Sequence, residues 1–469
     1  MLSDSLALWQ RTAQGLTDGY RKGLFTPPEV VDTCLARIKD IQPALNAFVH
    51  VDAAGARLAA QQSLQRWRSG TALGPLDGVP LSLKDNLNAQ GLPTTWGSLL
   101  TGGFTPAVDE LPVARLRAQG AVILGKTNLP EFAMQGHTTN RRFGTTVNPW
   151  NTQLSAGGSS GGAAAAVAAG CGPLAIATDG GGSIRRPASH TGLVGFKPSE
   201  ACVPRARGLP ELFLQYEVVG AMARSVNDLA FALQAMAPGP WDHPAESGRR
   251  RILFVPRFGT SPVDPDIAAL TVQAARRMEA LGHTIEEAAH FDDANDINAL
   301  WPRLSATGLA WLMAQGTHVG EWELADGAEP DTRLCTDAIR ETLVTGKALK
   351  ATDAFELQQA IEAVRARMAQ RFSRHDFILT PAAAALPWPA TEMFPAFIEG
   401  VAVSPRGHAV FTGLANAAGL PAVSLPCGQA RGLPVGIQLI GRMGADAALL
   451  TLARSWEAAY PWAHAWPPF

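Results

Sequence analysis

Residues 177–187 read ATDGGGSIRRP, a run of three glycines that ends at Ser183. The aliphatic residues of Leu174–Thr178 predict a buried strand, so the glycines begin where that strand ends. Glycine has no Cβ, and its backbone N–H groups can therefore approach a bound molecule closely. A hydroxyl beside such N–H groups meets two needs of acyl transfer, a nucleophile and donors for the developing oxyanion. Ser183 is therefore a candidate nucleophile, although the glycines taken alone could equally form a tight turn.

Two further segments point toward the same chemistry. Lys84 directly follows an apolar run, Val79–Leu83, that predicts a strand. Burying an ammonium group is costly unless the group is paired or neutral. The glycine-serine run Gly157–Gly162 precedes a helix predicted over Ala163–Ala169, and the start of a helix offers free N–H groups. Together with Lys84 and these serines, the glycines before Ser183 favour a catalytic site over a simple turn.

The pattern of the whole chain predicts an α/β protein. Short aliphatic runs alternate with glycine-rich turns and helical stretches from Gly74 to about Gly220. The pattern is then mostly helical to about Asp376, so we predict one domain over residues 1–469 with residues 240–400 as a helical insertion or cap. The predicted strands are Val79–Leu83, Ala121–Leu124, Leu174–Thr178, Arg251–Pro256 and Phe377–Thr380, with two more after Gly419 and Gly432. Helices are predicted to begin at Pro27 and to cover Ile267–Leu281.

Residues 120–127 match the phosphate-binding pattern G-x-x-x-x-G-K-[ST]. In that motif the four middle residues form a loop whose N–H groups surround a phosphate. Here they are Ala, Val, Ile and Leu, which favour a buried strand, and Leu111–Gln119 before them predicts a helix ended by Gly120. We therefore predict no nucleotide site in this segment.

Residues 157–161 match the nucleophile-elbow pattern G-x-S-x-G. An elbow requires a strand that runs straight into the serine, whereas residues 148–156 predict a loop. It also requires a later acidic residue and a histidine, and none of the later histidines lies in a recognisable motif. We therefore do not assign Ser159 to an elbow.

Composition and charge favour a small-molecule substrate. The net charge is −2 and no long run of one sign occurs, so nothing predicts binding to nucleic acid or to an anionic membrane. The five cysteines are scattered and form no C-x-x-C pair, so we expect reduced thiols and no metal or other cofactor. The first residues lack the features of a signal peptide, and the longest small apolar run is too short to cross a bilayer. We expect a cytoplasmic monomer or homodimer.

The three segments resemble the amidase signature family, whose hallmark is a glycine-serine stretch that ends in G-G-S-[IV]-R. Ser159 and Ser183 lie 24 positions apart, and Lys84 lies 75 positions before Ser159, as in that family. The likeness covers most of the chain except about residues 240–400. It implies the family's α/β fold, a central mixed sheet with helices on both faces. Other segments that resemble the family begin at Gly91, Gly125, Asn148, Gly195, Met222, Gly419 and Gly432.

The resemblance implies a role for each residue of the motif. Ser183 resembles the nucleophile, Lys84 the base and Ser159 the serine that bridges them through a cis peptide bond. Lys84 would have to be neutral to accept a proton, and burial would lower its pKa accordingly. The resemblance also implies an oxyanion hole formed by the N–H groups of Gly180, Gly181, Gly182 and Ser183, with Ser160, Asp179 and Arg185 holding the loop.

The substrate is the least determined feature. No guanidinium or carboxylate lies in a recognition motif, so we favour a neutral or aromatic amide of the anilide type, with carbamates and esters as further substrates. Phe132 and Met134 are candidates for the pocket wall. Three tryptophans of the variable region are expected in the core of the cap, with an aromatic site as the alternative. They are Trp301, Trp311 and Trp322.

Two other functions remain open. One is the glutamine-hydrolysing subunit of a tRNA-dependent amidotransferase, and the other is a carbamate-specific hydrolase, a urethanase. Glutamine-hydrolysing subunits use a tyrosine in the later substrate-binding region, where this chain has none, because its tyrosines are Tyr20, Tyr216 and Tyr460. A binding protein without catalysis is disfavoured by the intact set of Lys84 and the two serines.

Overall fold

A computed structural model describes residues 6–237, 239, 241, 248–315, 318–319, 322–323 and 330–469 of the chain. Within them the secondary structure comprises nineteen strands and thirteen α-helices. The strands are β1 (Phe48–Val51), β2 (Pro80–Lys84), β3 (Val122–Thr127), β4 (Thr139–Asn140), β5 (Gly144–Thr145), β6 (Val147–Asn148), β7 (Asn151–Ser155), β8 (Leu174–Asp179), β9 (Val194–Lys197), β10 (Val218–Ala223), β11 (Arg251–Phe254), β12 (Thr284–Glu287), β13 (His318–Val319), β14 (Trp322–Glu323), β15 (Phe377–Pro381), β16 (Phe397–Ile398), β17 (Val401–Ala402), β18 (Ala422–Ala430) and β19 (Leu433–Gly441). The helices are α1 (Ala13–Lys22), α2 (Pro27–Leu45), α3 (Ala53–Ser69), α4 (Leu111–Ala118), α5 (Gly161–Ala168), α6 (Arg185–Thr191), α7 (Val226–Met236), α8 (Pro265–Ala280), α9 (Asn295–Ala314), α10 (Asp337–Ala348), α11 (Ala351–Phe372), α12 (Gly413–Ala417) and α13 (Asp446–Ala459).

Eleven strands form one mixed sheet in the order β1-β3-β2-β8-β10-β9-β18-β19-β15-β11-β12. Strand β2 pairs in parallel with both β3 and β8, and β11 pairs in parallel with β12 and β15. The other pairs are antiparallel. The predicted central mixed sheet is therefore confirmed.

Helices cover both faces of this sheet, as predicted. Successive side chains of a strand point to opposite faces. In β8, Leu174 and Ile176 join the large core that contains α4, α7 and α13, whereas Ala175 and Ala177 join a second cluster with α5 and α6. The alanines of α5 are small, so this helix packs closely on the sheet beside the glycine-rich loops.

Several local predictions are confirmed. Helix α2 begins at Pro27, and the N–H of Thr26 donates to Glu29 Oε2 over 2.7 Å in a capping box. Residues 122–127 form the buried strand β3, which pairs in parallel with β2. The match to the phosphate-binding motif thus lies on a strand of the core.

The expectation of a loop over residues 148–156 is wrong. Strands β6 and β7 form a hairpin there, in which Asn148 pairs with Asn151. Asn148 Oδ1 accepts a hydrogen bond from the N–H of Trp150 over 2.9 Å and closes the turn at Pro149. The hairpin is a separate two-stranded sheet, so no strand of the main sheet leads into Ser159.

The segment 240–400 contributes both helices and strands. Helix α9 packs against both α10 and α11. Strands β11, β12 and β15, however, extend the main sheet at its end. None of the helices in the described ranges is long and apolar enough to span a bilayer.

Candidate active site

Lys84 is the last residue of β2 and lies at the same edge of the sheet as the end of β8, because the two strands are parallel. Its side chain is fully buried. Its Nζ donates to Ser159 Oγ over 2.7 Å and to Thr178 Oγ1 over 2.9 Å. Burial lowers the pKa of Lys84 to about 8, against the opposing effect of the Glu217 carboxylate. A large fraction of the amines is therefore neutral in mildly alkaline solution.

Ser159 lies in the loop that leads into α5, and the peptide bond between Gly158 and Ser159 is cis. The next residue, Ser160, connects this loop to residues 180–183, which we call the glycine loop. Ser160 N–H donates to the carbonyl oxygen of Ser183 over 3.2 Å, and its hydroxyl donates to the carbonyl of Thr178 over 3.3 Å. The structure thus brings together all three segments that the sequence singles out.

Asp179 and Arg185 form a buried ion pair that supports the glycine loop. Arg185 donates to both carboxylate oxygens of Asp179, over 3.0 and 2.8 Å, and both side chains are fully buried. Although burial alone would raise it, the Arg185 guanidinium holds the pKa of Asp179 well below its usual range. Asp179 also accepts from the N–H of Ile184 over 3.0 Å. Neither side chain lines the cleft of Ser183, so the ion pair supports the loop and does not contact a substrate.

The expected oxyanion hole is corrected at one residue. The N–H of Gly182 donates to Asp179 Oδ1 over 2.7 Å, so it is not available to a substrate. Gly182 instead allows the turn, since its φ is +105° and a Cβ would collide with Thr412 Oγ1. The N–H groups of Gly180, Gly181 and Ser183 make no hydrogen bond to another described residue. These three remain candidate oxyanion donors.

Ser183 lines a narrow cleft and is 8% exposed. The cleft has a volume of about 70 Å³, the space of only a few atoms. Met134 lines it, as expected. The expectation for Phe132 is wrong, because its ring is fully buried and packs edge-on against Trp96 at a centroid distance of 5.3 Å. A backbone φ of 53° turns Phe132 into the core.

The three tryptophans of the variable region differ in position. Trp301 is buried, as expected, but it also lines the cleft, and its Nε1–H donates to the carbonyl of Gly180 over 3.1 Å. Trp311 is 44% exposed, so the expectation of a core position is wrong for it. The side chain of Trp322 lies outside the described residues.

The sequence did not single out three further residues of the site, namely Thr178, which holds Lys84, and the cleft residues Arg186 and Arg406. Thr178 and Arg186 flank the recognised motif, so their positions in the sequence could have suggested them. Arg406 lies far away in the chain, and only the fold brings it to Ser183. The sequence showed no guanidinium in a recognition motif, but Arg186 and Arg406 both line the cleft. Among the described ranges, no group of three or more histidine, cysteine or acidic residues could hold a metal ion.

The site contains a buried lysine of lowered pKa that is hydrogen-bonded to one serine. A second serine lies nearby, beside backbone N–H groups that have no partner among the described residues. These are the groups that a serine hydrolase without a catalytic histidine requires. Comparisons with known proteins identify the family. A family model described as Amidase matches residues 29–450. The chain belongs to the amidase signature family, and it is a hydrolase of amide C–N bonds.

Similar proteins cover nearly the whole chain. A glutamyl-tRNA(Gln) amidotransferase subunit of Symbiobacterium thermophilum is 34% identical, with 93% of this chain and 94% of that protein covered. An acylamidase of Rhodococcus erythropolis is 33% identical, with 93% of each chain covered. The crystal structure of a bacterial aryl acylamidase of the amidase signature family has a TM-score of 0.87 at 28% identity, with 97% of each chain covered.

Proposed function

We propose that this protein hydrolyses the C–N bond of small carboxylic amides through an acyl-enzyme on Ser183, with Ser159 as proton relay and Lys84 as base. The hydrogen bond of 2.7 Å between Lys84 Nζ and Ser159 Oγ is the observation that carries the proposal. A buried lysine with a pKa of about 8 can accept a proton near neutral pH, which an exposed lysine cannot.

Each proton has a place in this scheme. Ser183 Oγ attacks the carbonyl carbon while its proton passes to Ser159 Oγ, and the Ser159 proton passes to Lys84 Nζ. The N–H groups of Gly180, Gly181 and Ser183 stabilise the oxyanion. When the C–N bond breaks, the proton returns along the same path to the leaving amine. Water then attacks the acyl-enzyme by the same relay and releases the acid.

The walls of the cleft favour an aromatic amide of the aryl acylamide type. Trp301 and Phe213 present ring surface beside the glycine loop, and Met134 adds an adaptable apolar contact. The acylamidase and aryl acylamidase among the similar proteins support this choice. Carbamates and esters share the acyl carbon that Ser183 would attack, so we propose them as further substrates.

Glutamine hydrolysis for a tRNA-dependent amidotransferase is the second candidate, because the similar proteins include a glutamyl-tRNA(Gln) amidotransferase subunit. The tyrosines argue against it. Tyr216 approaches the site most closely, since its ring packs against Trp301 at 5.6 Å, but it is 2% exposed and none of the three tyrosines lines the cleft. The carbamate substrate of a urethanase differs from an amide in that an oxygen replaces the carbon attached to the carbonyl group. The two activities are distinguished by comparing the rates of hydrolysis of carbamates and amides.

A substrate panel tests the proposal. Purified protein is assayed with acetanilide, benzamide, phenyl carbamate, phenyl acetate and glutamine, and the protein is quenched early for mass spectrometry. We expect the highest kcat/KM among the amides for the anilide, and an acyl adduct on Ser183. Exclusive hydrolysis of glutamine would favour the amidotransferase subunit, and exclusive hydrolysis of the carbamate would favour the urethanase. An adduct on Ser159 would overturn the assigned roles.

A further inference from the structure

Two arginines line the cleft of Ser183 without a carboxylate partner. Arg186 lies in the first turn of α6 and is 4% exposed. Its guanidinium donates only to neutral oxygens, those of Gly181, Thr412 and Gly158. Arg406 has a buried Nη2 with no hydrogen-bond partner. Within the described ranges, no acidic residue forms an ion pair with either guanidinium.

The acidic groups nearby are engaged elsewhere. Glu217 lines the same cleft, but it accepts from Asn86 Nδ2 over 3.1 Å and lies 3.7 Å from Arg205. Asp179 is held by the bidentate contact to Arg185. The arginines at the cleft therefore carry positive charge that the surrounding side chains do not neutralise.

Removal from water opposes the positive charge of both guanidinium groups. Burial, and then the charge of Arg406, lowers the pKa of Arg186 to about 9, and burial lowers that of Arg406 to about 10. A buried guanidinium without a counter-ion is costly unless an anion compensates it. An anion bound between the buried Arg186 and the buried Nη2 of Arg406 would compensate both charges.

The position of the two groups fixes where that anion would lie. Arg186 follows Ser183 by three residues and contacts the carbonyl of Gly181. Arg406 Nη2 is 3.7 Å from the place where a Cβ on Gly181 would stand. Both guanidiniums therefore border the glycine loop, close to the carbonyl that Ser183 would attack.

We infer that the substrate carries a carboxylate near its scissile carbonyl, bound by Arg186 and Arg406, as in the monoamide of a short dicarboxylic acid. Guanidinium groups pair with carboxylates through parallel, charge-assisted hydrogen bonds. The inference rests on the proposed function and deepens it. An anilide substrate would then have an anionic acyl part, whereas the sequence favoured a neutral one.

Matched anilides test the inference. Succinanilic acid carries the carboxylate, and butyranilide has the same chain length without it. We expect succinanilate to be hydrolysed with a kcat/KM roughly 10-fold to 100-fold higher, since hydrogen bonds to a charged group are stronger than those between neutral groups. Arg406→Met should reduce this ratio by roughly 10-fold to 100-fold, and Arg57→Met, a variant of an exposed arginine, should leave it unchanged.

Binding separates this inference from the catalytic proposal. The Ser183→Ala variant is titrated calorimetrically with both anilides, which measures the subsite without turnover. Tighter binding of succinanilate supports the subsite even if the wild-type protein cleaves neither compound, an outcome that would overturn the proposed function alone. Equal binding of the two anilides to Ser183→Ala, or an unchanged preference in folded Arg406→Met, would overturn the inference.

Discussion

Lys84 Nζ and Ser159 Oγ lie 2.7 Å apart, although 75 positions separate the two residues in the chain. Thr178 Oγ1 holds the same amine from the neighbouring strand over 2.9 Å. The lysine is thus fixed in a buried site by two neutral hydroxyl groups. Such an amine suits proton transfer better than charge stabilisation, because desolvation favours its neutral form.

Ser183→Ala should abolish the acyl-enzyme. We expect kcat to fall by roughly 10⁴-fold or more, since the covalent intermediate cannot form without its nucleophile. The apparent melting temperature should stay near that of the wild type, because the hydroxyl makes no hydrogen bond to the core in the described part of the chain. Ser373→Ala, at an exposed helix end, is the matched control. Retention of an adduct in Ser183→Ala would contradict the assignment.

Lys84→Ala should lower kcat for amides by about 10² to 10⁴-fold, the usual contribution of a general base. Esters should suffer less, because an alkoxide leaves without the proton that an amine needs. Lys347→Ala, at an exposed position of α10, serves as control. Equal losses for a matched amide and ester would show that the lysine does not protonate the leaving group.

The pH profile follows from the same residue. The neutral amine is the active form, and burial lowers the pKa of Lys84 to about 8. Below that pH the amine is protonated and inactive, so kcat/KM should rise tenfold per pH unit and level off above about pH 8. Steady-state kinetics with an anilide between pH 5 and pH 10 measures this. A profile that falls across the same range would contradict the role of a neutral lysine.

Histidine should not act as the base. His408 lines the cleft, but burial places its pKa well below the ordinary value, which makes the ring a weak proton acceptor. No hydrogen bond joins a histidine to Lys84, Ser159 or Ser183 within the described part of the chain. His408→Gln should therefore cost far less than the roughly 10²-fold expected of a lost general base. A loss as large as that of Lys84→Ala, in a folded variant, would contradict this.

Asp179→Asn should destabilise the protein. Removing one partner of a buried ion pair leaves Arg185 uncompensated, which costs about 3–5 kcal/mol. The double variant Asp179→Asn/Arg185→Gln should be less destabilised than the sum of the two single variants, because the stranded charge is then absent. Thermal or urea unfolding measures the three variants. Strict additivity would show that the two side chains do not depend on each other.

Nucleotides and chelators should have no effect on hydrolysis. Lys126, the lysine of the phosphate-binding pattern, is buried in β3 and lies 3.2 Å from Asp85 Oδ1. Its amine therefore cannot reach a phosphate. Calorimetric titration with Mg-ATP should show no binding, and dialysis against EDTA should leave the anilide assay unchanged. Inhibition by EDTA that added zinc reverses would contradict the prediction.

The sequence by itself determined the parts that depend on local chemistry. Apolar runs of four or five residues predicted both ends of β2 and β8 within one residue, because a buried strand needs little else. The start of β3 was also predicted within one residue, but this strand continues three residues beyond the predicted end. Glycine followed by serine marked the loop at Ser183, since only glycine tolerates the φ of +105° at Gly182. The motif and its spacing also indicated the family.

Only the tertiary structure decided which groups meet. The N–H of Gly182 could have faced the substrate, but the fold places Asp179 within 2.7 Å of it. Phe132 could have lined the cleft, but its backbone turns it toward Trp96. Arg406 reaches the cleft from a loop that local pattern does not distinguish from any other exposed segment. The direction of a side chain and its distant partner follow from packing across the whole sheet, which short-range sequence patterns do not encode.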